Sequence, residues 1–165
     1  MLFRSPDHKI HFTYSTVVVC SSGSCPQGWI GYSGSCYLPY VHGKTWQEAN
    51  ETCQEMDSHL ALSKSFDENE FIAVEVGRPE SRVWIGLRRS EGEFVWSDGS
   101  KSDFTNWGRF EPKDASVVGR DCVSLLPEDI FYSWDVRNCD DRQAFICERG
   151  KIGRASCRER VLRLV

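Results

Sequence analysis

No run of about 18 apolar residues, the length that a bilayer-spanning helix needs, occurs in this 165-residue chain. Its clean apolar stretches are short, such as Val17 to Cys20, so no membrane span is expected. The segment from Thr13 to Cys20 is too brief, and too interrupted by Tyr14, Ser15 and Thr16, to read as a secretory leader. A basic face is missing too. The chain holds 20 Lys and Arg against 24 Asp and Glu, and residues 151–165 alone carry five bases and one acid, leaving −8 on residues 1–150. An acidic body has little to offer a phosphate backbone, so no nucleic-acid partner is expected. No His stands beside a candidate nucleophile and no glycine loop is built to cradle phosphate, which argues against an enzyme.

Paired metal ligands are lacking as well. The tightest cysteine spacing is Cys20-x4-Cys25, and His8, His11, His42 and His59 lie near no cysteine pair. Eight cysteines in a chain without zinc spacing point to a disulfide framework, and therefore to the cell exterior or the secretory lumen. The sequon Asn50-Glu51-Thr52, which would be glycosylated at Asn50, agrees with that compartment. With Cys157 set aside, seven cysteines remain, six of them within residues 25–147; spacing alone does not choose their pairing.

Residues 1–24 end in Ser21-Ser22-Gly23-Ser24 and read as a flexible or non-native lead-in, with the domain proper at 25–149. Residues 150–165 form a basic tail whose stretch 151–161, KIGRASCRERV, resembles a translated sequencing adapter and is set apart from the fold as an artefact. Thr45-Trp46-Gln47-Glu48 and Ser65-Phe66-Asp67-Glu68 are capping-box patterns ahead of apolar residues at helical spacing. They predict helices over about 45–57 and 66–76. Short β-leaning runs follow at Val83–Leu87, Glu93–Trp96, Asp121–Leu126, Phe131–Asp135 and Ala144–Cys147. The expected class is α+β with short antiparallel sheets. A stretch of low periodicity between Ser97 and Asp121 reads as a long functional loop. Trp29, Trp46, Trp84, Trp96 and Trp134 read as core.

Taken in order, Cys25-Pro26-x-Gly28-Trp29, Cys36-Tyr37, Trp84-Ile85-Gly86-Leu87, Trp96-Ser97-Asp98-Gly99, Asn106-Trp107, Glu111-Pro112, Asp121-Cys122 and Phe145-Ile146-Cys147-Glu148 resemble the C-type lectin-like domain. The resemblance implies that fold, with two helices, a long loop and three disulfides: Cys25 with Cys36, Cys53 with Cys147, and Cys122 with Cys139. Cys20 is left over. It is open to three readings: a link to a second chain giving a disulfide-linked dimer, a link to N-terminal sequence outside this chain, or part of a mistranslated leader.

Sugar-binding members of that family hold calcium through Glu-Pro-Asn, a Glu just before the loop cysteine, and Trp-Asn-Asp. Calcium takes about six to eight oxygens. Here those positions read Glu111-Pro112-Lys113, Arg120 and Trp134-Asp135-Val136. Lysine and arginine are donors only, and valine offers no oxygen. The formal charge over the five ligand positions is zero, so the resemblance implies a degenerate site with no cofactor and no metal expected; the alternative is a calcium cofactor. Lys113 and Arg120 are open to two readings: they replace the ion by pairing with Glu111 and Asp135, or they form a solvated surface cluster. The long-loop site is thus assigned to Glu111, Lys113, Asp114, Arg120 and Asp135. Glu111, Asp135, Glu91 and Asp121, with Asp114, Asp140 and Asp141 nearby in sequence, are the residual metal candidates, and Asn138 would be a recruited ligand. The expected function is a non-enzymatic extracellular recognition module for a protein or an unconventional glycan, without calcium. The alternative is a calcium-dependent carbohydrate-binding lectin.

Overall fold

The structure, a computed structural model, describes residues 14–19, 24–76, 81–101, 103–112, 118–126, 131–150 and 158–163. The chain forms two compact units, Met1–Ser24 with Ile152–Val165, and Cys25–Lys151. In the first, where the sequence reads as lead-in and tail, strand β1 (Tyr14–Val19) pairs antiparallel with β10 (Arg158–Arg163). Thr16-Val17-Val18-Val19 is a β-branched run, which suits a strand.

The second unit holds strands β2 (Ile30–Tyr32), β3 (Ser35–Lys44), β4 (His59–Leu60), β5 (Val83–Ser90), β6 (Glu93–Trp96), β7 (Arg120–Leu125), β8 (Trp134–Asn138) and β9 (Gln143–Gly150). They make one sheet in the order β2-β3-β9-β5-β7-β8, with β4 on β9 and β6 on β5. Every pairing in it is antiparallel except β5 with β9, where Val83 faces Ala144 and Trp84 faces Phe145. The sheet is thus antiparallel, as expected, apart from this one parallel pair. That pair arises because the C-terminal strand returns to the middle, hydrogen-bonded to the N-terminal β3 on its other side.

Helix α1 (Trp46–Gln54) starts on a complete capping box: Glu48 N donates to Thr45 Oγ1 at 3.2 Å and Thr45 N to Glu48 Oε2 at 3.0 Å. It buries Trp46, Ala49 and Cys53. Helix α2 (Phe66–Phe71) has the Ser65 cap, but Glu68 turns its carboxylate to Lys64 N and to the Tyr37 hydroxyl, at 2.8 Å each. The expected continuation to residue 76 is present as a wider π-helical turn, Ile72–Val76, which puts Ile72, Ala73 and Val76 in the core.

The three expected disulfides are all present: Cys25–Cys36, Cys53–Cys147 and Cys122–Cys139. Cys20 and Cys157 lie outside the described residues. Trp46, Trp84, Trp96 and Trp134 are buried, whereas Trp29 is only half-buried under the Arg149 guanidinium. Trp84, Trp46 and Phe145 surround the Cys53–Cys147 bridge; Trp96 and Trp134 belong to a second cluster with Ile85, Leu87 and Ile146. Gly86 sits between them for reasons of space. A Cβ there would stand 2.6 Å from Ser97 Oγ and 2.8 Å from Leu60 O.

Candidate functional site

Strand β8 is the outer strand of the sheet, and an unpaired edge exposes backbone donors and acceptors. The long loop covers it. Trp134 N donates to Asn106 O at 2.8 Å, Gly108 N to Trp134 O at 2.9 Å, and Val136 N to Glu111 Oε2 at 3.1 Å. The Glu111 carboxylate therefore serves as an acceptor for the strand edge. The Glu111-Pro112 peptide is cis.

The loop base is pinned from inside by Asn69, which is fully buried on α2. Its Oδ1 accepts from Trp134 Nε1 at 2.7 Å and from Ser63 Oγ at 2.8 Å, while its Nδ2 donates to Tyr132 O at 2.8 Å. Asn106 Nδ2 donates to Phe131 O and Tyr132 O. Trp96, Phe104 and Trp107 meet the Trp134 ring edge-on with centroids 5.6–5.8 Å away. A hydrogen-bonded aromatic hub thus holds the described residues of the loop base against the strand edge.

Asp135 is the residue whose partners differ from expectation. It pairs with Arg82 and lies 3.9 Å from Arg137 Nη1; Arg120 is not among its partners. The register explains this: Arg120 faces Asn138 across the ladder, while Asp135 faces Ser124, about 10 Å further along at the rise of an antiparallel strand. Arg82 lies 53 residues before Asp135 in the chain, and no local sequence pattern points to it. Lys113 and Asp114 lie outside the described residues.

The residual metal candidates are dispersed. Glu91 is exposed in the β5–β6 turn, Asp121 is half-buried on β7, and Asp141 lies 3.6 Å from Arg137 Nε. Asn138 Oδ1 accepts from Asp140 N at 3.0 Å. Among the described residues no three or more His, Cys, Asp or Glu side chains gather as a cation site. Asn50 is half-buried within α1, and its Oδ1 is enclosed without a hydrogen-bond partner.

The rim around this edge is apolar. Phe110 is 81% exposed, Val118 96% and Phe131 63%, which sets them apart from the buried aromatics of the hub. Phe110 also has φ +64°, a left-handed conformation that costs a bulky side chain about 1 kcal/mol or more, and Arg109 stacks on its ring at 4.9 Å.

Two buried carboxylates set a pH dependence. Burial raises Glu148 above its ordinary 4.5, although Leu62 N and Ser35 Oγ donate to it at 2.8 and 2.7 Å. Burial raises Asp135 above 3.8 by more than Arg82 lowers it. Between the ordinary and the raised values the folded protein holds protons that the unfolded chain has released, so stability falls as pH rises through that interval. Glu48 is lowered chiefly by the Thr45 backbone donor; for Asp98, burial pushes upward but bonds from Ser100 and Lys64 outweigh it. Their contribution is lost as pH falls through their lowered values. Melting temperature is thus expected to peak within the ordinary carboxylate range, near about 4, and to fall on either side of it. Glu148→Gln keeps an acceptor for Leu62 N and should flatten the decline on the alkaline side of that peak. An unchanged profile would contradict the assignment.

Three disulfides frame an α+β domain whose long loop is laid along an edge strand. Residues 42–149 match the family model described as Lectin C-type domain, and the chain belongs to that family. It is 36% identical to Dromaiocalcin-1 of Dromaius novaehollandiae over 131 residues, covering 75% of this chain and 89% of that protein. It is 33% identical to a snaclec of Gloydius halys, a coagulation factor IX/factor X-binding protein, over 78% of this chain and 86% of that one. Among solved structures, a calcium-independent type II antifreeze protein superposes with a TM-score of 0.70 at 26% identity, covering 79% of this chain and 98% of that chain. Longer relatives are matched over 33% to 42% of their length. The relatives are binding proteins and receptors, secreted or displayed as ectodomains, and this domain is extracellular like them. Among the described residues no helix is long and apolar enough to cross a membrane.

Proposed function

We propose that this domain is a non-enzymatic recognition module that binds a protein, or an unconventional glycan, through the long-loop edge without calcium. One observation carries the reading: both surviving carboxylates of the family's ligand set are engaged by the protein itself. Glu111 accepts from Val136 N, and Asp135 pairs with Arg82. The remaining described positions, Arg120 and Val136, supply a cation and a hydrocarbon. Lys113, a second cation two positions after Glu111 in the sequence, and Asp114 are assigned to the same proposed contact set.

The exposed Phe110, Val118 and Phe131 favour a protein ligand, because interface cores are enriched in aromatic anchors. The names of the relatives are consistent with such breadth: one is a coagulation-factor-binding protein, another a calcium-independent antifreeze protein. Screening the oxidised chain against arrays of secreted proteins and of glycans, in buffer containing chelator, tests the reading. Hits that persist in chelator and weaken about tenfold or more with Phe110→Ser are expected. Hits that are all glycans and all vanish in chelator would overturn it.

A further inference from the structure

A second feature borders the long-loop site, with which it shares Arg82, the partner of Asp135. An open groove of about 620 Å³ is formed where β3, the start of β5, the end of β8 and the β8–β9 turn converge. Its origin is a bulge. Between Tyr40 and Lys44 strand β3 advances four residues while β9 advances two, from Phe145 to Gln143, so Val41 to Gly43 are carried off the ladder. Gly43 then packs on Arg142, and a Cβ there would stand 3.1 Å from the Arg142 carbonyl carbon.

The lining is dominated by hydrogen-bond donors. Arg82, Arg137 and Arg142 face the groove together with Gln143, and Asp141 is the one carboxylate on its wall. Each guanidinium has five donors and a single neighbouring carboxylate satisfies only part of them. Arg142 Nη2 lies 3.4 Å from Glu48 and its side chain is 63% exposed. Arg137 forms ion pairs through Nε with Asp141 at 3.6 Å and through Nη1 with Asp135 at 3.9 Å, both too long for hydrogen bonds, so its enclosed Nε has no hydrogen-bond partner. Gln143 is 9% exposed; its Oε1 accepts from Ser124 Oγ, and its Nε2 is likewise enclosed without a partner. Buried donors left unpaired cost stability, so their gathering on one cavity calls for an acceptor that the protein does not itself provide.

We propose that this groove binds an oxyanion group, a sulfate or phosphate, through Arg82, Arg137, Arg142 and Gln143. Fork-shaped guanidinium donors match such oxygens, and the volume admits a group carried on a sugar residue as well as a free ion. The site shares Arg82 with the Asp135 pair of the long-loop reading, but its other donors, Arg137, Arg142 and Gln143, let it stand if that reading fails.

The test is nuclear magnetic resonance of the labelled, oxidised full chain during titration with sodium sulfate, against sodium chloride at matched ionic strength. Saturable shifts at the Nε–H groups of Arg82, Arg137 and Arg142, half-complete at millimolar sulfate, are expected. Arg142→Gln is the variant of choice because its side chain is the most exposed of the three, and it should weaken binding about tenfold. Shifts that rise linearly, that chloride reproduces, or that appear equally at Arg88 and Arg109 would overturn the proposal, as would an unchanged affinity in Arg142→Gln. Inorganic phosphate, and a sulfated disaccharide beside its unsulfated parent, separate the sources. Tighter binding of the sulfated sugar supports a sugar ester, and equal binding of inorganic sulfate supports the free ion.

Discussion

Replacing Cys53 and Cys147 together by Ser is expected to leave the domain unfolded at body temperature. The bridge spans 94 residues and sits wholly inside the Trp46, Trp84 and Phe145 cluster, so its loss acts on both states. In the chain-entropy description a loop of that length is worth about 4 to 5 kcal/mol, against a typical total of about 5 to 15 kcal/mol for a domain. Two hydroxyls left in an apolar cluster add a further cost. The bridge between Cys25 and Cys36 spans 11 residues and is worth about 3 kcal/mol in the same description. Cys25→Ser with Cys36→Ser should therefore lower the melting temperature while leaving a cooperative transition. Near-ultraviolet circular dichroism against temperature separates the two cases, and equal effects from both pairs would contradict the argument.

Trp134→Ala should come next in size. The side chain is fully buried, meets three aromatic rings and donates to Asn69. Removing a buried Trp costs about 3 to 5 kcal/mol. More tellingly, Trp134 joins α2 to the loop base, and its own backbone holds Asn106 and Gly108 along the β8 edge. Hydrogen exchange of the 104–111 amides should rise well beyond that of α1. Trp134→Phe keeps an aromatic ring but drops the donor; Asn69 Oδ1 then retains Ser63, so a loss of only about 1 to 2 kcal/mol is expected. If Trp134→Ala loosens α1 and the loop equally, the hub is part of a uniform core and not the loop's anchor.

Much of the fold was legible where local chemistry decides it. Thr45 with Glu48 announced α1, and Ser65 announced α2, because capping is settled within one turn. The family's cysteine pairing carried the disulfides. The strands β2, β3 and β4 were not legible. Strand β3 contains Pro39 and Gly43 and lacks a clean alternation of buried and exposed positions, since it bulges halfway. The parallel contact of β5 with β9 is a tertiary result that no local period encodes. The candidate site divides in the same way. Lost oxygen ligands could be counted along the chain, but the true partner of Asp135 depends on register and on the remote start of β5. The exposure of Phe110 was equally hidden, because an aromatic residue in a loop reads the same whether it packs or projects.

The central claim is that the long-loop edge keeps its shape through protein groups and has no use for calcium. Calorimetric titration of calcium into the oxidised full chain, beside a magnesium control and a melt with and without chelator, tests it most directly. The account predicts no calcium-specific heat and one melting temperature under both conditions. Binding tighter than about 1 mM, with a melt that chelator lowers, would contradict it.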